Sequence, residues 1–179
     1  MPGFKELWPG GPVFSYSADA FSLGTDSVLL ADFASTVKAN NAVELGCGSA
    51  AVSLLLLNSA PKLHVTCVEI SASAARSASE NMAANGLTSR ADIINDDLRA
   101  YRNFLPAAEF DLVVCNPPYF ESDRGTVPKD QERSAARNDT CCRLEDIFEC
   151  AGWLCKNKAA FCMVMRTERL APSARQHQI

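Results

Sequence analysis

The stretch Ala42-Val43-Glu44-Leu45-Gly46-Cys47-Gly48-Ser49 decides the fold. Its first half is a short, mostly apolar run of the kind that forms a buried strand. Its second half carries two glycines one residue apart, which predicts a tight turn. Ala50 to Ser59 follows with helix-forming residues and is stopped by Pro61. A strand that turns on glycines straight into a helix is the opening move of a parallel sheet.

The same alternation continues outward. His64 to Val68 predicts a second strand ending at Glu69, and Ser73 to Asn85 a helix stopped at Asn85-Gly86. Ala91 to Asn95 predicts a third strand ending at Asp96-Asp97. Phe110 to Cys115 predicts a fourth, stopped by Asn116-Pro117-Pro118. Leu144 to Cys155 has helical character, and Ala159 to Met165 predicts a fifth strand. The strands are continuous apolar runs, as strands covered on both faces require. The expected fold is therefore α/β and Rossmann-like: a mostly parallel sheet with helices on both faces and right-handed crossovers. Ser122 to Asp139 is expected to be a long loop or short helix of the functional kind.

Bulk properties bound the answer. At 179 residues, 47% hydrophobic and 21% charged, the chain suits one globular domain. No apolar run is long enough to span a bilayer, and the N-terminus lacks a basic segment followed by an apolar one, which points to the cytoplasm. Its net charge of −4 argues against a large non-specific nucleic-acid footprint but leaves room for a local basic patch. Eight cysteines occur with no CxxC pair and only two histidines, so they are expected to be reduced, buried thiols and no metal site.

In open parallel sheets, ligands bind beyond the carboxyl ends of the strands. Here those ends carry Glu44 with Gly46 and Gly48, then Glu69, Asp96-Asp97, and Asn116-Pro117-Pro118-Tyr119. Glycines let a ligand approach the backbone, Glu69 suits the two hydroxyls of a ribose, and Asp97 suits an adenine amino group. Gly46 to Ala51 also fits the dinucleotide pattern GxGxxA. Two features favour S-adenosylmethionine instead. Glu44 would repel a pyrophosphate yet suits a zwitterionic amino acid, and an acid after the third strand has no regular role with NAD.

Asn116-Pro117-Pro118-Tyr119 is the most specific motif. An adenine amino nitrogen is a poor nucleophile because its lone pair is delocalised into the ring. An enzyme must hold both N–H bonds so that the lone pair faces the methyl donor. The Asn116 oxygen and the Pro117 carbonyl can accept one proton each, two prolines fix that carbonyl's direction, and Tyr119 can stack on the base. The alternative reading is a proline-stiffened turn capped by Asn116.

Together these residues resemble the motifs of class I N6-adenine methyltransferases. Phe21-Ser22-Leu23-Gly24-Thr25-Asp26-Ser27-Val28-Leu29-Leu30 is similar, more narrowly, to the element ahead of the cofactor domain in bacterial tRNA1(Val) adenine-N6-methyltransferases. Ala136 to Asp139 and Met165 to Leu170 resemble later motifs of that family. The resemblance implies a cofactor-covering segment over 1–40, a methyltransferase domain over 41–179, and Thr25 and Asp26 at the methionine end of the cofactor. It implies methylation of adenine N6 in RNA, tRNA above all, with the base extruded into the pocket. Arg124, Lys129, Arg133, Arg137 and Arg143 are then candidate phosphate contacts. Methylation of a protein glutamine, or of rRNA or DNA adenine, is the enzymatic alternative, and a cofactor-binding module without catalysis the non-enzymatic one. Three departures stand out: Ala50 replaces a third glycine, Asn138 an expected histidine, and Lys156-Asn157-Lys158 a Pro-Gly-Gly turn. The family fold adds two strands after the fifth, so the short tail is expected to reflect a truncated chain.

Overall fold

A computed structural model describes residues 3–15, 23–117 and 142–165. Five strands form one parallel sheet in the order β5-β4-β3-β6-β7. They are β3 (Asn41–Leu45), β4 (His64–Glu69), β5 (Ala91–Asn95), β6 (Phe110–Cys115) and β7 (Cys155–Met163). A separate antiparallel pair, β1 (Lys5–Glu6) and β2 (Val13–Phe14), precedes them. The helices are α1 (Thr25–Ser35), α2 (Ala51–Ser59), α3 (Ala72–Ala84) and α4 (Leu144–Leu154), with a 3-10 turn at Leu98–Asn103.

Side chains alternate across each strand, and the two faces feed two apolar layers. Ala42, Val65, Cys67, Leu112 and Val114 pack with α1, α2 and α3. Val43, Leu45, Val68, Val113 and Cys115 pack with the 3-10 turn and with Ile147, Cys150, Ala151 and Leu154 of α4. Leu54, Leu56 and Leu57 of α2 are fully buried, each contributing roughly 2 kcal/mol. The expected sheet covered on both faces is what the chain forms. Cys47, Cys67, Cys115, Cys150 and Cys162 are buried free thiols. Burial pushes the Cys115 and Cys150 thiols well up, which keeps them protonated and inert.

Two expectations need correction. The fifth strand begins at Cys155, four positions before the predicted Ala159, and ends at Met163. Lys156-Asn157-Lys158 is strand rather than turn. Cys155 passes directly from the end of α4 into β7, and Lys156 Nζ reaches Asp111 Oδ1 of β6 at 2.9 Å. That carboxylate also accepts the Asn40 and Asn41 N–H groups, and together these contacts hold it below the usual carboxylate range. The irregularity survives as a register shift between Phe110 and Leu112, with Lys158 at φ +67°. The second correction is at 98–103, where sequence patterning gave no element and a 3-10 turn forms, capped by the Asp97 side chain on Arg99 N–H.

The N-terminal pair is docked by two asparagines one turn apart, Asn81 in α3 and Asn85 at its C-cap. Asn81 accepts the Ser15 N–H and donates to the Ser15 carbonyl, at 2.8 and 2.7 Å. Asn85 does the same to Val13, at 2.9 and 2.7 Å. Between them Phe14 inserts its buried ring into the core. Of the described residues, none lies in a helix long and apolar enough to cross a membrane.

Candidate functional site

The parallel registers bring the chemical residues to one edge of the sheet. Leu45 lies opposite Val68 and Cys115, and Glu69 lies opposite Asn95. The strand ends therefore follow one another as Asp97, Glu69, Gly46 to Gly48, and Asn116. Chain order reverses at β3, flanked by β4 on one side and β6 on the other. A crevice at such a reversal is where open α/β sheets bind ligands.

The β3 turn is built on left-handed backbone at Gly46 (φ +70°), Gly48 (φ +56°) and Ala50 (φ +60°). A Cβ at Gly46 or Gly48 would meet nothing within 4 Å, so the loop leaves open space where side chains would stand. Ala50 is fully buried and carries the strain itself, about 1 kcal/mol for a non-glycine residue. The turn is fastened to β4 by Gly46 and Cys47 N–H groups on the Val68 carbonyl.

Glu69 closes the connection between the two strand ends. Its Oε2 accepts the Gly48 N–H and its Oε1 the Ser71 N–H, both at 2.8 Å. A carboxylate oxygen has two acceptor sites, so each keeps one spare. Glu44 is oriented otherwise. It is 2% exposed, and its Oε2 accepts both the Ser53 N–H at 2.9 Å and the Ser53 hydroxyl, at the start of α2. Burial drives its acidity down, to a pKa of about 7. Asp97 is engaged by Arg99 through Nε at 3.0 Å and Nη2 at 2.6 Å, which holds its carboxyl below the usual range.

Across β3, Asn116 Nδ2 donates to Ser27 Oγ at 3.0 Å. That contact brings the start of α1, with Thr25 and Asp26, to the end of β6. Asp97 lies on the far side, at the end of β5. Pro117 follows Asn116 in the described chain, whereas Pro118 and Tyr119 lie outside it, as do Arg124, Lys129, Arg133 and Arg137. Arg143 is exposed and 3.7 Å from Asp146. Among the described residues no cluster of His, Cys, Asp and Glu gathers to hold a metal.

Sequence reading passed over Ser27 and Ser71. Ser71 meets Glu69 through its main-chain N–H, which leaves no trace in residue type; its side chain caps α3 on the Ala74 N–H. Ser27 does leave one: it heads the buried stripe Ser27, Leu30, Ala31, Ala34, at positions i, i+3, i+4 and i+7. A serine in an otherwise apolar stripe needs a polar partner.

Comparison with known proteins agrees with this architecture. Residues 11–132 match the family model of the methyltransferase small domain. A tRNA1(Val) (adenine(37)-N6)-methyltransferase from Bacteroides thetaiotaomicron is 33% identical over 83% of this chain and 61% of its own length. One from Proteus mirabilis is 33% identical over 80% of this chain and 56% of its own. The chain thus spans about three fifths of the curated relatives it matches. The fold is shared with the precorrin-6y C5,15-methyltransferase of Geobacter metallireducens, at TM-score 0.64 and 12% identity over 90% of this chain and 73% of that one. It is shared equally with the 16S rRNA N2 G1207 methyltransferase of T. Thermophilus, at TM-score 0.64 and 20% identity over 93% of this chain and 42% of that one. On the family match, which covers most of its length, this chain belongs to the methyltransferase small domain family.

Proposed function

We propose that this chain binds S-adenosylmethionine across the ends of β3 and β4 and methylates N6 of an adenine in an RNA, tRNA in particular. The observation that carries the reading is the arrangement of Asn116-Pro117 and the clasped Glu69 on either side of the glycine turn at the sheet's reversal point. The relatives' names, tRNA1(Val) (adenine(37)-N6)-methyltransferase, support the choice of base and RNA.

The residues present suit the cofactor. The space beside Gly46 and Gly48 admits a ligand against the backbone, and Glu69 has one spare acceptor site on each oxygen for a ribose diol. Thr25 and Asp26 are assigned to the amino-acid end and Asp97 to the adenine, while Glu44 is turned onto Ser53. When bound, S-adenosylmethionine supplies a methyl group on a positively charged sulfur. Asn116 Oδ1 and the Pro117 carbonyl accept the two N–H bonds of the substrate amine and so direct its lone pair. Tyr119 and Pro118, outside the described residues, are assigned by residue type to stacking on the base and to restricting the backbone after Pro117. The surplus proton of the methylated nitrogen passes through one of those two acceptors to water. Catalysis rests on orientation and hydrogen bonding, with no strong base required. The reaction belongs to the cytoplasm, where tRNA is found.

Incubation with methyl-labelled S-adenosylmethionine and either bulk tRNA or a release-factor protein tests the reading. Label is expected in tRNA, recovered as N6-methyladenosine by mass spectrometry. Label confined to protein would overturn the RNA assignment in favour of a glutamine amide.

A further inference from the structure

We propose that Ser27 is a positioning residue for Asn116, anchoring the NH2 end of its amide on α1 so that the oxygen is held toward the substrate amine. The inference rests on the reading of Asn116 as an acceptor for that amine.

A primary amide is nearly the same shape at both ends, and its terminal torsion is broad and two-fold. Its ends are opposite in chemistry: Oδ1 only accepts, and Nδ2 only donates. Asn116 must accept to be useful against an amino group, because the reversed amide would set donor against donor. Nothing in residues 115–117 alone selects between the two orientations.

Ser27 supplies an anchor for the NH2 end from 89 residues away in the chain. A hydroxyl can donate as well as accept, and the substrate amine, a donor, completes the choice of this orientation. It sits on the buried stripe of α1, 9% exposed, with its own N–H bonded to the Gly24 carbonyl. Its hydroxyl accepts from Asn116 Nδ2 at 3.0 Å, so the donor end is taken up against α1. Oδ1 receives no hydrogen bond from any described residue, and it is left for an incoming donor. The rest of the stripe, Leu30, Ala31 and Ala34, is buried in the core and holds Ser27 in place. The contact therefore couples docking of α1 to readiness of the amide.

Removing the hydroxyl should cost catalysis and spare binding. In Ser27→Ala, kcat for tRNA is expected to fall about tenfold, roughly the worth of one orienting hydrogen bond in the transition state. Cofactor Kd should stay within about twofold, and Ser27→Thr, which keeps the hydroxyl, should recover most of kcat. The Asn116 side-chain NH2 pair in a nitrogen–proton NMR spectrum reads the contact directly; its signals are identified by their loss in Asn116→Asp. They should shift in Ser27→Ala and return in Ser27→Thr. If Asn116→Ala stops transfer while Ser27→Ala leaves both kcat and the NH2 signals unchanged, the positioning role is wrong and the function stands. If the wild-type chain methylates no RNA, the underlying reading fails, and the NMR comparison alone then decides whether Ser27 holds the amide.

Discussion

On the β4 side of the crevice the carboxylate of Glu69 is gripped by two main-chain N–H groups, from Gly48, three residues beyond the end of β3, and from Ser71, two beyond the end of β4. On the β6 side Asn116 is held by one side-chain contact to a helix that precedes the sheet in sequence. The first arrangement is preformed by the sheet and depends on no particular side chain but Glu69 itself. The second depends on α1 being docked. Binding and chemistry are thus supported by different parts of the fold and should be separable by substitution.

The largest expected effect tests that separation. Asn116→Ala should lower kcat about a thousandfold, the scale of losing a key polar contact in the transition state, with cofactor affinity within about twofold. Calorimetry of cofactor binding beside single-turnover transfer measures both, and a comparable loss of binding would join the two sides again.

Glu44 gives the next effect, and it concerns stability. Burial raises this carboxyl from an ordinary 4.5 to about 7. Between those values the folded chain keeps a proton that the unfolded chain has released. Stability therefore falls as pH rises through that window, and a cost of about 3 kcal/mol is in full force above it. Glu44→Gln, which cannot ionise, should lose most of the decline seen by urea unfolding between pH 5 and pH 8. An unchanged slope would place the ionisation elsewhere.

Glu69→Gln sharpens the binding side. It retains one acceptor and loses the charge, so cofactor affinity should drop about thirtyfold while kcat at saturation changes little. A fall in kcat alone would show Glu69 acting on the chemistry. The smallest effect is at Ala50→Gly, where relief of the left-handed strain outweighs the lost methyl contact by at most about 1 kcal/mol. Thermal unfolding would record it as a small rise in Tm.

These contrasts also mark what the sequence makes legible. Strands β3 to β6 are apolar runs ended by glycine, acid or proline, so both their extent and the chemistry at their ends can be read locally. Gly46, Glu69 and Asn116 fall on one edge because all are strand-terminal in a parallel sheet, a consequence of topology alone. What escapes is carried by contacts distant in sequence. The start of β7 is set by Lys156 meeting Asp111, and the clasp on Glu69 uses main-chain N–H groups that no residue type announces. Glu44 looks like a ligand-facing acid beside the glycines, yet its hydrogen bonds run to Ser53, within the α2 layer.

The asparagine pair at the end of α3 has an evolutionary corollary. Asn81 and Asn85 recognise the amide and carbonyl of residues 15 and 13. The attachment itself does not dictate the side chain at residue 13, whereas proline at either place, lacking that hydrogen, would undo it. Residue 14 obeys the opposite law, because its ring is what the core accepts. Adjacent positions 13 and 14 are thus held to different requirements, the first to its main chain and the second to its ring, a pattern that divergence within this segment would be bound to follow.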